Sequence, residues 1–228
     1  MNIILPSYTA TIPSTGKTVS YRPFTVKEEK SLLLALQEES LQTIANAIKS
    51  TVKACTYNAV DPDQFPYYDI ESLFLDIRSK SVGEVIEMIG SCECSETAKT
   101  NFSVDIATKT LVPPIDTKAG TIIIPDSVYS IKIRHPTISD FVAATEPNAD
   151  SSRTVANCII TVYSEDEVFD WTLEEKIEFV DSMTPKQQVE IVKFLDNMPM
   201  VNLDVSYTCS RCGKRHEEII SGFENFFV

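Results

Sequence analysis

Two short cysteine pairs far apart in the chain limit what it can become. One is Cys92-Glu-Cys94, set in Gly90-Ser-Cys-Glu-Cys-Ser-Glu. The other is Cys209-Ser-Arg-Cys212, followed at once by Gly213. If all four sulfurs meet on one metal, the end of the chain must return to a point near residue 93. Everything between the pairs is then an excursion between two halves of one clamp. Strand, Cys-x-x-Cys-Gly, strand is the pattern of a zinc knuckle: the glycine lets the backbone turn so that amides face the thiolates, and two such pairs complete a tetrahedral site. Cys92, Cys94, Cys209 and Cys212 are therefore the candidate ligands of a structural zinc. Two other readings stay open on spacing alone: packed thiols without metal, and a disulfide or redox pair. His216, four residues after Cys212, is an alternative fourth ligand.

The compartment bears on that choice. No run nears the roughly 18 apolar residues of a membrane span. The start, Met1-Asn-Ile-Ile-Leu-Pro, is too short for a secretory h-region and has no basic leader. The expectation is synthesis in a reducing cytoplasm, where paired cysteines read as metal ligands before disulfides. A formal net charge of −13 over 228 residues argues against a general nucleic-acid or anionic-membrane binder. The length allows one domain or two small ones.

Periodicity predicts a mixed α+β fold. Residues 1–23 read as a hairpin turning at Ser14-Thr-Gly16, with Gly16 at positive φ. Thr25 and Glu28 form a capping box that opens a helix, and Phe24 is placed to staple it. A second helix over about 40–55 carries Leu41, Ile44, Ile48 and Val52, with Cys55 as a core thiol. Another helix starts at Asp69 and buries Ile70, Leu73, Phe74 and Ile77. Ser81–Ile89 reads as a further helical stretch leading into the first cysteine pair. Strands follow at 101–106, 121–124 and 128–134. Helices return at Thr137, at Val155–Tyr163 (β-branched enough to be a strand), at Leu173–Met183 behind Thr172, and at Pro185 behind Thr184. Strands at 201–207 and 216–220 flank the second cysteine pair. Three parts are expected: a hairpin and helical region over 1–90, a small β, zinc-ribbon-like lobe from 91–135 plus 200–228, and a helical insertion over 136–199.

Enzyme signatures are missing. The chain has 6 glycines and 2 histidines, with no phosphate loop, no Gly-x-Ser-x-Gly and no His-Glu-x-x-His. His135 reads as a surface or turn histidine. The carboxylates fall at helix starts and on polar faces, where solvation and the helix dipole account for them. Four thiolates would leave no open coordination position, so such a site stabilises and does not catalyse. A zinc-dependent hydrolase would need an open site.

Three blocks carry a family likeness. They are Pro13-Ser-Thr-Gly-Lys17 with Tyr21–Ala35, Asp69–Glu84, and Cys209-Ser-Arg-Cys-Gly213 with Gly222-Phe-Glu-Asn-Phe-Phe227. In these the chain resembles the baseplate hub protein family of T-even-like contractile-tailed bacteriophages, which holds a hub subunit and a related hub assembly factor. The resemblance implies a non-enzymatic component of the virion tail baseplate, made in the host cytoplasm. It would act through contacts with other hub proteins and with tail-tube or tape-measure proteins in a symmetric assembly. The alternative is an assembly chaperone that the virion does not retain. The segments expected to make contacts are Tyr21–Ala35 and Ile70–Gly83, with Arg22, Phe24, Glu28 and Arg78 as named candidates. The aromatic tail, Phe223, Phe226 and Phe227, either buries under the zinc lobe or anchors a partner.

Overall fold

The computed structural model describes residues 3–38, 40–95, 97–113, 120–165 and 167–222. The fold is α+β, and the chain divides into two compact units. The first gathers Met1–Asp61, Tyr68–Pro114 and Pro199–Val228; the second holds Pro62–Tyr67 and Ile115–Met198.

The first unit opens on the hairpin β1 (Tyr8–Thr11) and β2 (Thr18–Tyr21), paired antiparallel with Tyr8 opposite Tyr21. Gly16 takes φ +66° in its turn and donates its amide to the Ile12 carbonyl. Helix α1 (Val26–Gln37) starts at the Thr25–Glu28 capping box. Helix α2 (Leu41–Cys55) starts at Ser40, whose side chain accepts from the Thr43 amide. Its buried positions Ile44, Ala45, Ile48, Thr51, Val52 and Cys55 follow helical spacing.

Helix α3 (Tyr67–Ser81) departs from the one-sided stripe expected of it. Ile70, Leu73, Phe74 and Ile77 are buried, but so are Asp69, Glu71, Ser72, Leu75 and Arg78. Each buried charge has partners. Asp69 accepts from the amide and hydroxyl of Ser14. Glu71 accepts from the amides of Val201 and Gly222, and Arg78 donates to the Gly83 carbonyl. Hydrogen bonding of this kind is what makes buried charge tolerable.

Two further hairpins complete the unit. Strand β3 (Val85–Ser91) pairs antiparallel with β4 (Lys99–Asp105). The expected helix over 81–89 is thus a strand. Gly83 at φ +138° breaks the chain out of α3, and Val85 to Ser91 then alternates in burial. Strand β5 (Thr110–Val112) pairs with β10 (Met200–Thr208), which pairs with β11 (Arg215–Ile220). Leu75, Ile86, Val104, Ile106, Val201, Leu203 and Val205 share one core.

The second unit holds a four-stranded antiparallel sheet in the order β6 (Thr121–Ile123), β7 (Tyr129–Ile133), β8 (Ile159–Ser164), β9 (Glu167–Phe169). Helices α4 (Ile138–Thr145), α5 (Ser151–Cys158), α6 (Leu173–Asp181) and α7 (Pro185–Asp196) belong with it. Thr137, Thr172 and Thr184 cap their helices as expected, each in a capping box. The stretch over 136–199 is not purely helical: Val155–Tyr163 splits into the end of α5 and strand β8. Its β-branched run, Ile159-Ile-Thr-Val162, fits a pleated surface better than a helix. The core joins Ile131, Ile133 and Val162 of the sheet to Ala156, Cys158, Val180 and Ile191 of the helices.

Candidate metal centre

Both cysteine pairs sit at hairpin tips in the first unit. β3 and β4 are in register to Ser91 opposite Lys99, so Cys92 and Cys94 fall in the connecting loop. Within it the Ser95 amide bonds the Cys92 carbonyl and the Ala98 amide bonds the Ser95 carbonyl. β10 and β11 are in register to Thr208 opposite Arg215, which puts Cys209 and Cys212 in the second loop. There the Cys209 amide bonds the Lys214 carbonyl at 2.8 Å, and the Gly213 amide returns to the Cys209 carbonyl at 3.0 Å. Gly213 takes φ +74°, which a residue with a Cβ adopts only at a cost.

The four sulfurs converge, all within 4.8 Å of one another. Cys92 Sγ lies 3.7 Å from Cys212 Sγ, and Cys94 Sγ lies 3.8 Å from Cys209 Sγ. Disulfide sulfurs stand about 2.05 Å apart, so these are free thiols. A tetrahedron with metal–sulfur arms of about 2.3 Å has sulfur–sulfur edges of about 3.8 Å. The donor set therefore has the size of a four-thiolate zinc site. Cys92 and Cys209 are buried, whereas Cys94 and Cys212 face solvent.

Local electrostatics agree with the knuckle geometry. The amides of Cys212 and Arg211 point at Cys209 and, against burial, hold its thiol down at about 6. Burial and the three neighbouring sulfurs push Cys94 up to about 12. The Cys94 amide faces Cys92 but is outweighed by burial and by the thiols of Cys212 and Cys209, which raise it. Four crowded sulfurs without a cation cannot all ionise; a divalent ion among them reverses that preference.

The hairpins are held in this arrangement by groups that spacing did not single out. The Tyr207 ring lies between Phe102, at 4.7 Å and 12°, and His216, at 4.8 Å and 8°. Its hydroxyl is 2.8 Å from both the Ser91 carbonyl oxygen and Glu218 Oε1. A Cβ built on Gly90 would stand 2.3 Å from Tyr207 Cζ, so only glycine fits opposite that ring. The Ser210 amide donates to Thr100 Oγ1 at 3.1 Å, joining one tip to the other hairpin. Ala98 packs with Cys92 and Cys209. One signal was available: Gly90 and Tyr207 each stand two residues before a knuckle cysteine.

The sulfur group forms without His216, which stacks on Tyr207 instead. His135 lies in the connection between β7 and α4, as the turn reading has it, but is half-buried there and stacked on Phe194 at 4.4 Å; burial lowers its pKa. Cys55 and Cys158 are core thiols, each raised by burial to about 12. Arg22 and Glu28 form a two-pronged pair at 2.6 and 3.0 Å, with both side chains mostly buried. Phe24 is half-buried, and its amide bonds Ser81 Oγ. Arg78 is buried. Phe223, Phe226 and Phe227 lie outside the described residues.

Residues 5–228 match the family described as T4 bacteriophage base plate protein. The chain belongs to that family. Among characterised relatives of the base plate family, the baseplate hub assembly protein gp26 of Enterobacteria phage T4 is 27% identical over 222 residues, covering 93% of each chain. No solved structure matches. No helix among the described residues is long and apolar enough to cross a membrane.

Proposed function

We propose that this base plate family member is a non-catalytic part in building the baseplate hub of a phage tail, and that its four cysteines hold one structural zinc. The single observation that carries the reading is the convergence of Cys92, Cys94, Cys209 and Cys212 at tetrahedral sulfur spacing. Zinc bound by four thiolates has no open position for substrate or water, so its contribution is to the fold. It ties the β3–β4 hairpin to the β10–β11 hairpin, and through Glu71 the base of the latter is tied to α3. A rigid clamp of this kind suits a protein whose work is to present fixed surfaces to neighbours.

The relative's name, a hub assembly protein, favours a role during construction of the hub. Retention in the finished tail is the companion reading, favoured by the base plate family description. Contacts with other hub proteins, and with tail-tube or tape-measure proteins, belong to either. In this reading Arg22, Glu28 and Arg78 shape the surfaces from within, while Phe24 and the aromatic tail residues Phe223, Phe226 and Phe227 are the remaining contact candidates.

The test is made in the phage. A Cys209→Ser, Cys212→Ser double substitution should stop tails at a stage lacking complete baseplates, with tail parts accumulating unassembled. Normal infectious yield from that variant would overturn the reading. Quantitative mass spectrometry of purified particles then separates the two roles: stoichiometric copies mean a hub component, and their absence means an assembly factor.

A further inference from the structure

Helix α1 uses little of its surface for the core. Leu32 and Ala35 are buried, but Val26, Leu33 and Leu34 are exposed, Leu34 at 61%. Beside them, between α1 and α2, runs an open groove of about 570 Å³. Leu34, Ala35, Ala47, Ser50 and Ala54 line it, so its walls are mostly small side chains. Small residues let another helix approach closely.

The charges along this groove say what fits it. Three charged residues line it: Glu28, already engaged by Arg22, and Lys27 at one end and Glu38 at the other, both exposed. Neither Lys27 nor Glu38 has an ion-pair partner among the described residues. Eleven residues of helix set them about 16 Å apart, too far to meet each other. A second α1 laid antiparallel across the groove brings Lys27 of each copy to Glu38 of the other. Leu34 lies on the same side of α1 as Lys27 and Glu38, whereas Leu33 does not, so it is Leu34 of each copy that packs on the small-residue wall of its mate. Knob, hollow and both charges lie on one face, as an isologous contact requires.

We propose that the α1–α2 face is a self-association surface whose occupant is α1 of a second copy of this chain. The contact is small. A 12-residue helix is about 18 Å long and 10 Å wide, well short of the roughly 800 Å² per partner of a stable dimer. Free chains therefore associate weakly, and the contact strengthens where neighbours hold copies close together. It rests on no property of the metal centre.

Sedimentation equilibrium of the full chain, carried into the high-micromolar range, tests this. The wild-type chain should show a monomer–dimer equilibrium. Leu34→Arg should be monomeric, with unchanged circular dichroism because the side chain is exposed. Lys27→Glu and Glu38→Lys should each weaken the dimer by about tenfold or more, as like charges then face each other. Both swaps place favourable charge at a helix terminus, so a melted helix cannot explain the loss. Mixing the two single variants should restore association as a heterodimer, because every facing pair is again opposite in sign. A chain that stays monomeric throughout, or a dimer indifferent to Leu34→Arg and to the swaps, overturns the proposal. So does failure of the mixture to recover.

Discussion

Glu28 and Asp69 respond to pH in opposite directions, and the difference lies in their partners. Glu28 faces Arg22 and also accepts from the Thr25 amide and hydroxyl. The Arg22 hydrogen bond is the largest influence, and the Glu28 carboxyl drops from an ordinary 4.5 to about 2. A carboxylate held down in the folded state adds stability above about pH 4.5, lost as pH falls toward 2. Glu28→Gln should flatten that acid limb and cost about 1–3 kcal/mol at neutral pH, read from urea unfolding. An unchanged limb would mean the pair is idle. Asp69 is raised from 3.8 to about 6, chiefly by burial and against the hydrogen bonds from Ser14. The unfolded chain ionises first, so stability falls as pH rises from about 4 to 6. Asp69→Asn should remove that fall, compared by urea midpoints at pH 4 and pH 7; equal losses in both proteins would contradict the assignment. Neither shift is readable from sequence, since Asp69 looks like a helix-start acid on a solvated face.

Elements with a local chemical cause were legible; those set by the tertiary neighbourhood were not. Thr25, Thr172 and Thr184 mark helix starts because each supplies a cap where the chain turns. Strand β3 was lost to a helical reading because Val85-Ile-Glu-Met-Ile has apolar residues compatible with either period. Its pairing with β4 decides the matter. Helix α3 hid its depth for a similar reason: Asp69 and Glu71 read as a polar face until their partners 55 to 151 residues distant are known. At this scale Gly90 carries the sharpest prediction. Gly90→Ala drives a methyl into the Tyr207 ring, so Tyr207 must leave Phe102 and Ser91. The cost should be about 1–3 kcal/mol in thermal or urea unfolding, with weaker metal retention by the two tips. A Gly90→Ala protein as stable as wild type would show that the ring has room to yield.

At the scale of the whole molecule, one inference from the cysteine spacing organises the rest. Two pairs separated by 115 to 120 residues meet at two hairpin tips, and that meeting was legible because a Cys-x-Cys and a Cys-x-x-Cys-Gly together complete a four-sulfur site, although spacing alone left packed thiols and a disulfide open. The supporting shell was not legible, since Tyr207, Phe102 and Thr100 are ordinary strand residues until the hairpins face each other. The most direct test is zinc-edge X-ray absorption, with metal analysis, on the chain purified under reducing conditions. The account predicts one zinc per chain with four sulfur neighbours at about 2.3 Å, and loss of the ion in Cys92→Ser and in Cys212→Ser. A chain that folds fully with no metal, or zinc bound through nitrogen or oxygen in place of these sulfurs, would contradict it.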